Sequence, residues 1–141
     1  MRITLESDYA LRIIAAIATA EGVTDAKTVS GITSVTQRFT LKILHKLVLG
    51  GVVQSFKGIN GGYKLKRPPN EITLKEVIEL IDGPIAIARC LEDEEGCSLN
   101  CDKATCGFHR VFDLISLDLQ HKLGRITIAD VLSNNYTYDL K

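Results

Sequence analysis

The chain has 141 residues and 45% of them are apolar, which is enough for one compact domain or a small domain with an appendage. No apolar run approaches the roughly 18 residues of a membrane span, and Met1-Arg2-Ile3-Thr4 leads into an amphipathic pattern rather than a signal peptide. We therefore expect a cytoplasmic protein without a membrane partner. Residues 1–67 carry 10 Lys and Arg against 4 Asp and Glu, whereas residues 68–141 carry 7 against 13. The net +6 of the first part favours a polyanionic partner there.

Three helices are predicted in the first part from apolar residues at helical spacing. They cover residues 7–20, 25–32 and 36–49. Ser7 and Thr36 are the expected N-caps of the first and third, and Ser34 lies in the turn between the second and third. The inner face of the third helix is expected to hold Phe39, Ile43, Leu44 and Leu47.

A β-hairpin is predicted after Gly50-Gly51. Val52 to Phe56 and Tyr63 to Lys66 read as strands, joined by a glycine-rich turn. Three helices followed by a hairpin is the order of a winged helix-turn-helix, which Pro68-Pro69-Asn70 would end. The predicted fold is therefore mainly α with a small β-hairpin wing, and residues 1–67 are the predicted DNA-binding domain.

Residues 68–141 are predicted to form a second region with a long helix. Thr73-x-x-Glu76 is a capping box for a helix through Ile81, and a last short helix follows Thr127. Between them, a helix over 108–123 carries one apolar stripe of Phe108, Val111, Phe112, Ile115, Leu119 and Leu123. Such a stripe is often simple core, but helix-turn-helix proteins generally read DNA as symmetric dimers, so a homodimer interface is predicted here.

Several polar side chains are candidates for contacts with double-stranded DNA. The start of the third helix would meet base edges in the major groove, where Gln suits adenine and Arg suits guanine. Lys42 and Lys46 could reach phosphates, and Lys57 and Asn60 would place the wing. The predicted DNA-binding residues are Thr36, Gln37, Arg38, Thr40, Lys42, Lys57 and Asn60. The competing interpretation is a helical domain whose polar face is only solvated. The predicted hairpin and the net +6 charge of residues 1–67 favour DNA binding over it.

All four cysteines fall within seventeen residues, and His109 follows the last by three positions. They are Cys90, Cys97, Cys101 and Cys106. Soft thiolate ligands favour zinc, copper(I) or iron–sulfur clusters. The gaps lack the close Cys-x-x-Cys pairs of structural zinc sites and suit a loop around an iron–sulfur cluster, to which His109 could add a nitrogen. Structural thiols, a zinc site or a thiol redox switch remain alternatives.

The sequence offers no catalytic constellation, because a phosphate-binding loop and a nucleophile elbow are both lacking. We therefore predict that the protein is not an enzyme and has no small-molecule substrate. A sensor that controls transcription is the leading hypothesis, and a protein-interaction adaptor that does not bind DNA is a rival from a different class.

Several segments resemble the bacterial winged-helix regulators typified by IscR and NsrR, the Rrf-type family. They are Met1-Arg2-Ile3-Thr4 through Tyr9-Ala10, Ile43-Leu44-x-x-Leu47-x-x-Gly50-Gly51, Gly58-x-x-Gly61-Gly62-Tyr63, Ile72-Thr73-Leu74-x-Glu76 and Cys106-Gly107-Phe108-His109. The resemblance covers essentially the whole chain. It implies a homodimer on palindromic promoter DNA, with a [2Fe–2S] or [4Fe–4S] cluster on three cysteines and one other ligand.

The resemblance leaves two ligand choices open. The fourth ligand is the histidine matching His109 in the IscR branch and an aspartate matching Asp8 in the NsrR branch, and this chain has both. The family usually has three cysteines, whereas four occur here. Cys90 and Cys106 match the outer positions, and Cys97 is favoured over Cys101 in the middle because its gap from Cys90 is nearer the family's usual gap.

Overall fold

The described part of the chain consists mainly of helices, with one β-hairpin. The computed structural model describes residues 2–93, 97 and 102–135. The elements are α1 (Leu5–Thr19), α2 (Ala26–Thr33), α3 (Gln37–Leu49), β1 (Val53–Phe56), β2 (Gly62–Leu65), α4 (Leu74–Asp82), α5 (Arg89–Glu92), α6 (Gly107–Arg125) and α7 (Ile128–Ser133). The predicted class, mainly α with a small hairpin, is confirmed. None of the described helices is long and apolar enough to cross a membrane.

The start of α1 differs from the prediction. Ser7 is fully buried inside the helix, and the cap is Thr4, whose hydroxyl oxygen accepts from the Ser7 amide at 3.2 Å. The Thr4 hydroxyl also donates to Asp82 at 2.5 Å, which ties the start of α1 to the end of α4. This contact spans 78 residues, so the local pattern could not reveal it.

The capping box of α4 forms only in part. Thr73 accepts from the Glu76 amide at 3.1 Å as predicted. The Glu76 carboxylate, however, pairs with Arg67, whose guanidinium also donates to the Glu71 carbonyl at 3.2 Å. Glu76 therefore links the end of the wing to α4.

One apolar core draws on both predicted parts of the chain. Its fully buried members include Ile13, Ile14, Val29, Ile43, Leu44, Leu47, Val52, Ile72 and Val77. Ile128 of α7 joins them, since its amide donates to the Ile72 carbonyl at 2.9 Å. Residues before and after position 67 share this core. The predicted division into a DNA-binding domain over 1–67 and a second region over 68–141 therefore stays a prediction about function.

The hairpin is anchored to the connection between α1 and α2. β1 and β2 pair antiparallel, with Val53 opposite Leu65 and Phe56 opposite Gly62. Thr24 and Tyr63 exchange two backbone hydrogen bonds of 2.8 and 2.9 Å. The wing is thus held on the same body as the helices.

Gly62 sits where no larger residue fits, and this gives a stability prediction. A Cβ there would lie 2.5 Å from the Thr24 carbonyl oxygen. Gly62→Ala should therefore lower the free energy of unfolding by about 1–3 kcal/mol in urea titrations. Gly31, inside α2 with open space around it, is the matched control, and Gly31→Ala should raise stability by about 0.5–1 kcal/mol. A Gly62→Ala protein as stable as the parent would contradict the anchoring.

Candidate nucleic-acid interface and cysteine site

Helices α2 and α3 form a helix-turn-helix whose turn is fixed by side-chain hydrogen bonds. Ser34 adopts the left-handed conformation at φ 57°. The Val35 carbonyl oxygen accepts from the Ser30 hydroxyl at 2.5 Å and from the Thr40 hydroxyl at 3.5 Å. These bonds satisfy a backbone acceptor at the turn and set the angle at which α3 leaves it.

Thr40 does not lie where a DNA contact needs it. Its side chain is fully buried, on the same face of α3 as Ile43 and Leu44. The prediction of Thr40 as a DNA-binding residue is wrong for this conformation, because its hydroxyl serves the Val35 carbonyl inside the protein.

Phe39 also departs from its predicted place on the inner face of α3. The residue is 39% exposed, and its ring meets Tyr9 of α1 edge to face, with ring centroids 5.9 Å apart. The Lys42 ammonium lies over the Phe39 ring, 5.2 Å from its centroid. Thr40 takes the inner position that the sequence pattern assigned to Phe39.

The first turn of α3 presents polar side chains to the outside. Gln37 and Arg38 are exposed, as is the N-cap Thr36. The Thr36 oxygen accepts from the Phe39 amide at 3.4 Å, which leaves its hydroxyl hydrogen able to donate outward. Amides in the first turn of a helix are further donors for phosphate oxygens. This end of α3 therefore carries exposed donors of the kinds that suit base edges and phosphates.

Two lysines of α3 are drawn toward α1. Glu6, in the first turn of α1, pairs with Lys46 at 2.6 Å and with Lys42 at 3.3 Å. The hydrogen bond from Lys46 is the main cause that holds the pKa of Glu6 below its usual range; burial opposes it, and Lys42 adds to it. Lys42 is exposed, as predicted, but already has an acidic partner.

The wing tip exposes both polar and apolar side chains. Lys57 and Asn60 are exposed, as a contact with DNA requires. Ile59, between them, is fully exposed, and its place beside a glycine turn lets it approach a groove closely. The Gly61 amide donates to the Gly58 carbonyl at 3.0 Å and closes the tip.

The cysteine segment runs from α5 to the start of α6. Cys90 and Cys106 are half-buried thiols that form no disulfide with each other. Cys97 is half-buried, and Cys101 lies outside the described residues. Asp102 arranges the turn into Cys106, because its carbonyl accepts from the Cys106 amide at 3.1 Å. Lys103 donates to the Asp93 carbonyl at 3.4 Å, so the two ends of the segment lie close together.

The chain leading to Cys90 runs along α6 toward its N-terminus. The Ile85 carbonyl accepts from Gln120 at 2.8 Å, and the Ile87 amide donates to Ser116 at 3.1 Å. The connection therefore follows α6 toward its N-terminal end. The helix α5, which contains Cys90, packs on α6, the helix that begins directly after Cys106.

One ring nitrogen of His109 is buried. This atom, Nδ1, is fully shielded from solvent without a partner among the described residues. His109 follows Cys106 by one turn of α6, so both lie on nearby parts of one helix surface. A buried polar atom without a partner is costly, and a metal ligand is one role that would satisfy it.

These cysteine and histidine donors are of the kind that a thiolate-bound metal group would need. Among the described residues, no three His, Cys, Asp or Glu side chains converge on a common point. Cys101 is not among them. Asp8 pairs with Arg12 at 2.6 Å on the surface of α1.

The first half of α6 exposes an apolar stripe. Phe108 is 77% exposed and Ile115 48%, with Val111 and Phe112 between them also exposed. Leu119 and Leu123 of the predicted stripe are half-buried. The exposed part is the half of α6 that begins at Cys106.

A family model described as "Rrf2: Iron-dependent Transcriptional regulator" matches residues 3–134. The chain belongs to the Rrf2 family. Family membership confirms the resemblance and supports transcription regulation and DNA binding. Relatives of this Rrf2 chain are named as transcriptional regulators rather than enzymes.

Three Rrf2-type proteins illustrate the similarity. CymR of Bacillus subtilis is 32% identical over 97 residues, which are 67% of this chain and 70% of CymR. The transcriptional regulator NsrR of Bacillus licheniformis is 26% identical over 137 residues, 95% and 94% of the two chains. The structure of CymR, titled the global cysteine regulator of B. subtilis, superposes with TM-score 0.77 at 23% identity, over 96% and 99%. The structure of T. potens IscR superposes with TM-score 0.75 at 19% identity, over 99% of this chain and 94% of IscR. Both structures therefore share the fold of this chain.

Sequence reasoning missed two candidate contacts of this Rrf2 protein. Leu41 is 44% exposed, one turn after Gln37 on the outer face of α3, where an apolar side chain can meet a thymine methyl group. Ile59 projects from the wing. Helical spacing from Gln37 could have indicated Leu41, but the exposure of Ile59 depends on the hairpin itself.

Proposed function

We propose that this protein is a homodimeric DNA-binding transcription regulator whose DNA affinity depends on an iron–sulfur cluster. The observation that carries the DNA-binding half is the exposed pair Gln37 and Arg38 at the start of α3, beside a wing that exposes Lys57 and Asn60. The pair would read bases in the major groove, while Thr36, Lys42 and the wing hold phosphates and sugars. Thr40 supports the turn and takes no part in contact.

The proposed cluster ligands are Cys90, Cys106 and one of the two middle cysteines. Cys97 is retained as the favoured middle ligand, with Cys101 as its replacement. The buried nitrogen of His109, which has no hydrogen-bond partner among the described residues, supports His109 as the fourth ligand, and Asp8 is the alternative. When bound, such a cluster supplies a redox-active centre that oxidants or nitric oxide can attack, and similarity to NsrR and IscR supports this choice.

The chain's own residues would transmit the state of that site. Cys106 begins α6, and the same half of α6 exposes the stripe proposed as the dimer interface. A shift of Cys106 would therefore move the interface and change how two reading helices face DNA. For regulation, the two arrangements must differ in DNA affinity.

A thiol-based regulator without a cluster is the second candidate function. It is favoured by similarity to CymR, whose structure is titled that of a global cysteine regulator, and by the thiols of Cys90 and Cys106. A zinc site on the same cysteines belongs with this alternative. Iron and inorganic sulfide, counted in anaerobically purified protein, separate the candidates because a thiol or zinc regulator contains neither.

Arg38 provides the test of base reading. Arg38→Ala should weaken binding to the preferred duplex by about 1–3 kcal/mol and relax the preference at one base position. Duplexes enriched from a randomised library by the parent protein and by the variant give the measurement. Lys57→Ala is the comparison, and it should weaken binding by similar factors across sequences, since phosphate contacts carry no sequence information. An unchanged base preference in the Arg38→Ala library would refute the assignment.

A further inference from the structure

Glu6 and the lysines it binds, Lys42 and Lys46, form a cluster that we call the Glu6 clamp. Glu6 lies in the first turn of α1 with its side chain 21% exposed, and it contacts Lys46 at 2.6 Å and Lys42 at 3.3 Å. The two lysines are one turn apart on α3, the helix that begins with Gln37 and Arg38. One carboxylate thus holds two cations of the proposed reading helix.

The clamp directs both lysine side chains back toward α1. Lys46 is 36% exposed and Lys42 54%, and the ammonium of Lys42 also sits over the Phe39 ring. Phe39 is itself held by Tyr9 of α1. These contacts favour side-chain positions over the protein surface rather than extended into a groove.

DNA phosphates would have to compete with Glu6 for these cations. A lysine bound to a phosphate gives up part of its attraction to the carboxylate, and the carboxylate itself repels phosphates. We propose that Glu6 lowers the DNA affinity of the protein by holding Lys42 and Lys46. This inference rests on the proposed DNA-binding function and deepens it, because it makes Glu6 a residue that sets affinity without reading sequence.

The opposite role for Glu6 is that it positions the lysines for DNA. Removal of the carboxylate would then disorder both side chains and weaken binding. The two roles predict changes of opposite sign, so one substitution decides between them. Glu6→Gln removes the charge with little change in size.

The test uses the full chain and a duplex of arbitrary sequence, because phosphate contacts do not depend on the operator. Affinity is measured by fluorescence anisotropy at several salt concentrations, with folding checked by circular dichroism. Glu6→Gln should bind roughly 2- to 30-fold more tightly, the range expected for two partly exposed ion pairs. In a K42Q/K46Q background the same substitution should give little of that gain.

Glu21→Gln is the matched control for net charge. Glu21 is exposed two residues beyond the end of α1, and α1 itself spans about 20 Å between Glu6 and Thr19. An equal gain in DNA affinity from Glu21→Gln would show that overall charge, and not the Glu6 clamp, sets the affinity. A gain from Glu6→Gln that persists in the K42Q/K46Q background would show the same. Unchanged or weaker binding by Glu6→Gln would overturn it as well.

Titration of the parent protein with duplex DNA separates the proposed DNA-binding function from the Glu6 clamp. A parent protein without salt-dependent affinity for duplex DNA would refute the DNA-binding function, and the clamp with it. A parent that binds, together with a Glu6→Gln variant that binds no more tightly, would refute the clamp alone.

Discussion

Replacing Ile115 by glutamate should convert the proposed dimer into a monomer and weaken its binding to a two-half-site duplex by about 100-fold or more. Ile115 is about half exposed, in line with Phe108 and Val111 on the outer stripe of α6. In a dimer that buries this stripe, the variant would place two carboxylates in an apolar interface, where unpaired charge is strongly disfavoured. Each half-site would then bind alone and lose the roughly 10²- to 10⁴-fold advantage of linked sites.

Leu117→Glu is the matched control for this prediction. Leu117 is as exposed as Ile115, but two positions further along the helix its side chain points to the other side. The Leu117→Glu variant should stay dimeric in sedimentation experiments and keep its DNA affinity. A dimeric Ile115→Glu protein, or equal dissociation of both variants, would contradict the α6 interface.

Replacing Cys106 by serine should weaken the protein's affinity for the cluster by at least about 10- to 100-fold, since loss of a ligand should cost no less than loss of its supporting contacts. The bound iron and sulfide should fall accordingly. The DNA affinity of the variant should then match that of the parent after cluster removal and stop responding to oxidants. Cys106 is chosen because it joins the cysteine segment to α6. Iron and sulfide assays with DNA titration on the same sample give the measurement.

Thr105→Ser is the control for the neighbouring position. It preserves the hydroxyl that donates to the Asp102 carbonyl, so the turn into Cys106 should survive and cluster content should stay at the parental level. Cys97→Ser and Cys101→Ser, compared with each other, should show which cysteine is the middle ligand. A Cys106→Ser protein with full iron and sulfide would exclude Cys106 from the site.

Local signals in the sequence predicted the order of elements well. Thr36 caps α3 as expected because N-capping depends on a few adjacent residues. The prediction of Ser7 as the N-cap of α1 was wrong, because the actual cap, Thr4, also bonds Asp82, which is far away in the chain. The exchange of Phe39 and Thr40 has a similar cause, since α1 supplies the ring that holds Phe39 outside the core.

The candidate site was less accessible to sequence reasoning than the fold. Residue types at the start of α3 indicated Gln37 and Arg38, but the pairing of Lys42 with Glu6 is a contact between distant helices. Clustered cysteines indicated a soft-metal site. Their spacing could not show that a nitrogen of His109 would be buried without a partner in the described part of the chain, because this depends on how α6 packs.

The most direct test of the central claim is a DNA titration of anaerobically purified protein before and after its cluster is removed, with iron and sulfide counted on each sample. The claim predicts both elements in the first sample and an affinity change of about 5- to 150-fold on their removal, the usual range for coupling between two sites. Equal affinity with and without the cluster would contradict regulation by it. Protein that holds neither element after anaerobic reconstitution would instead favour a thiol- or zinc-based regulator of the same fold.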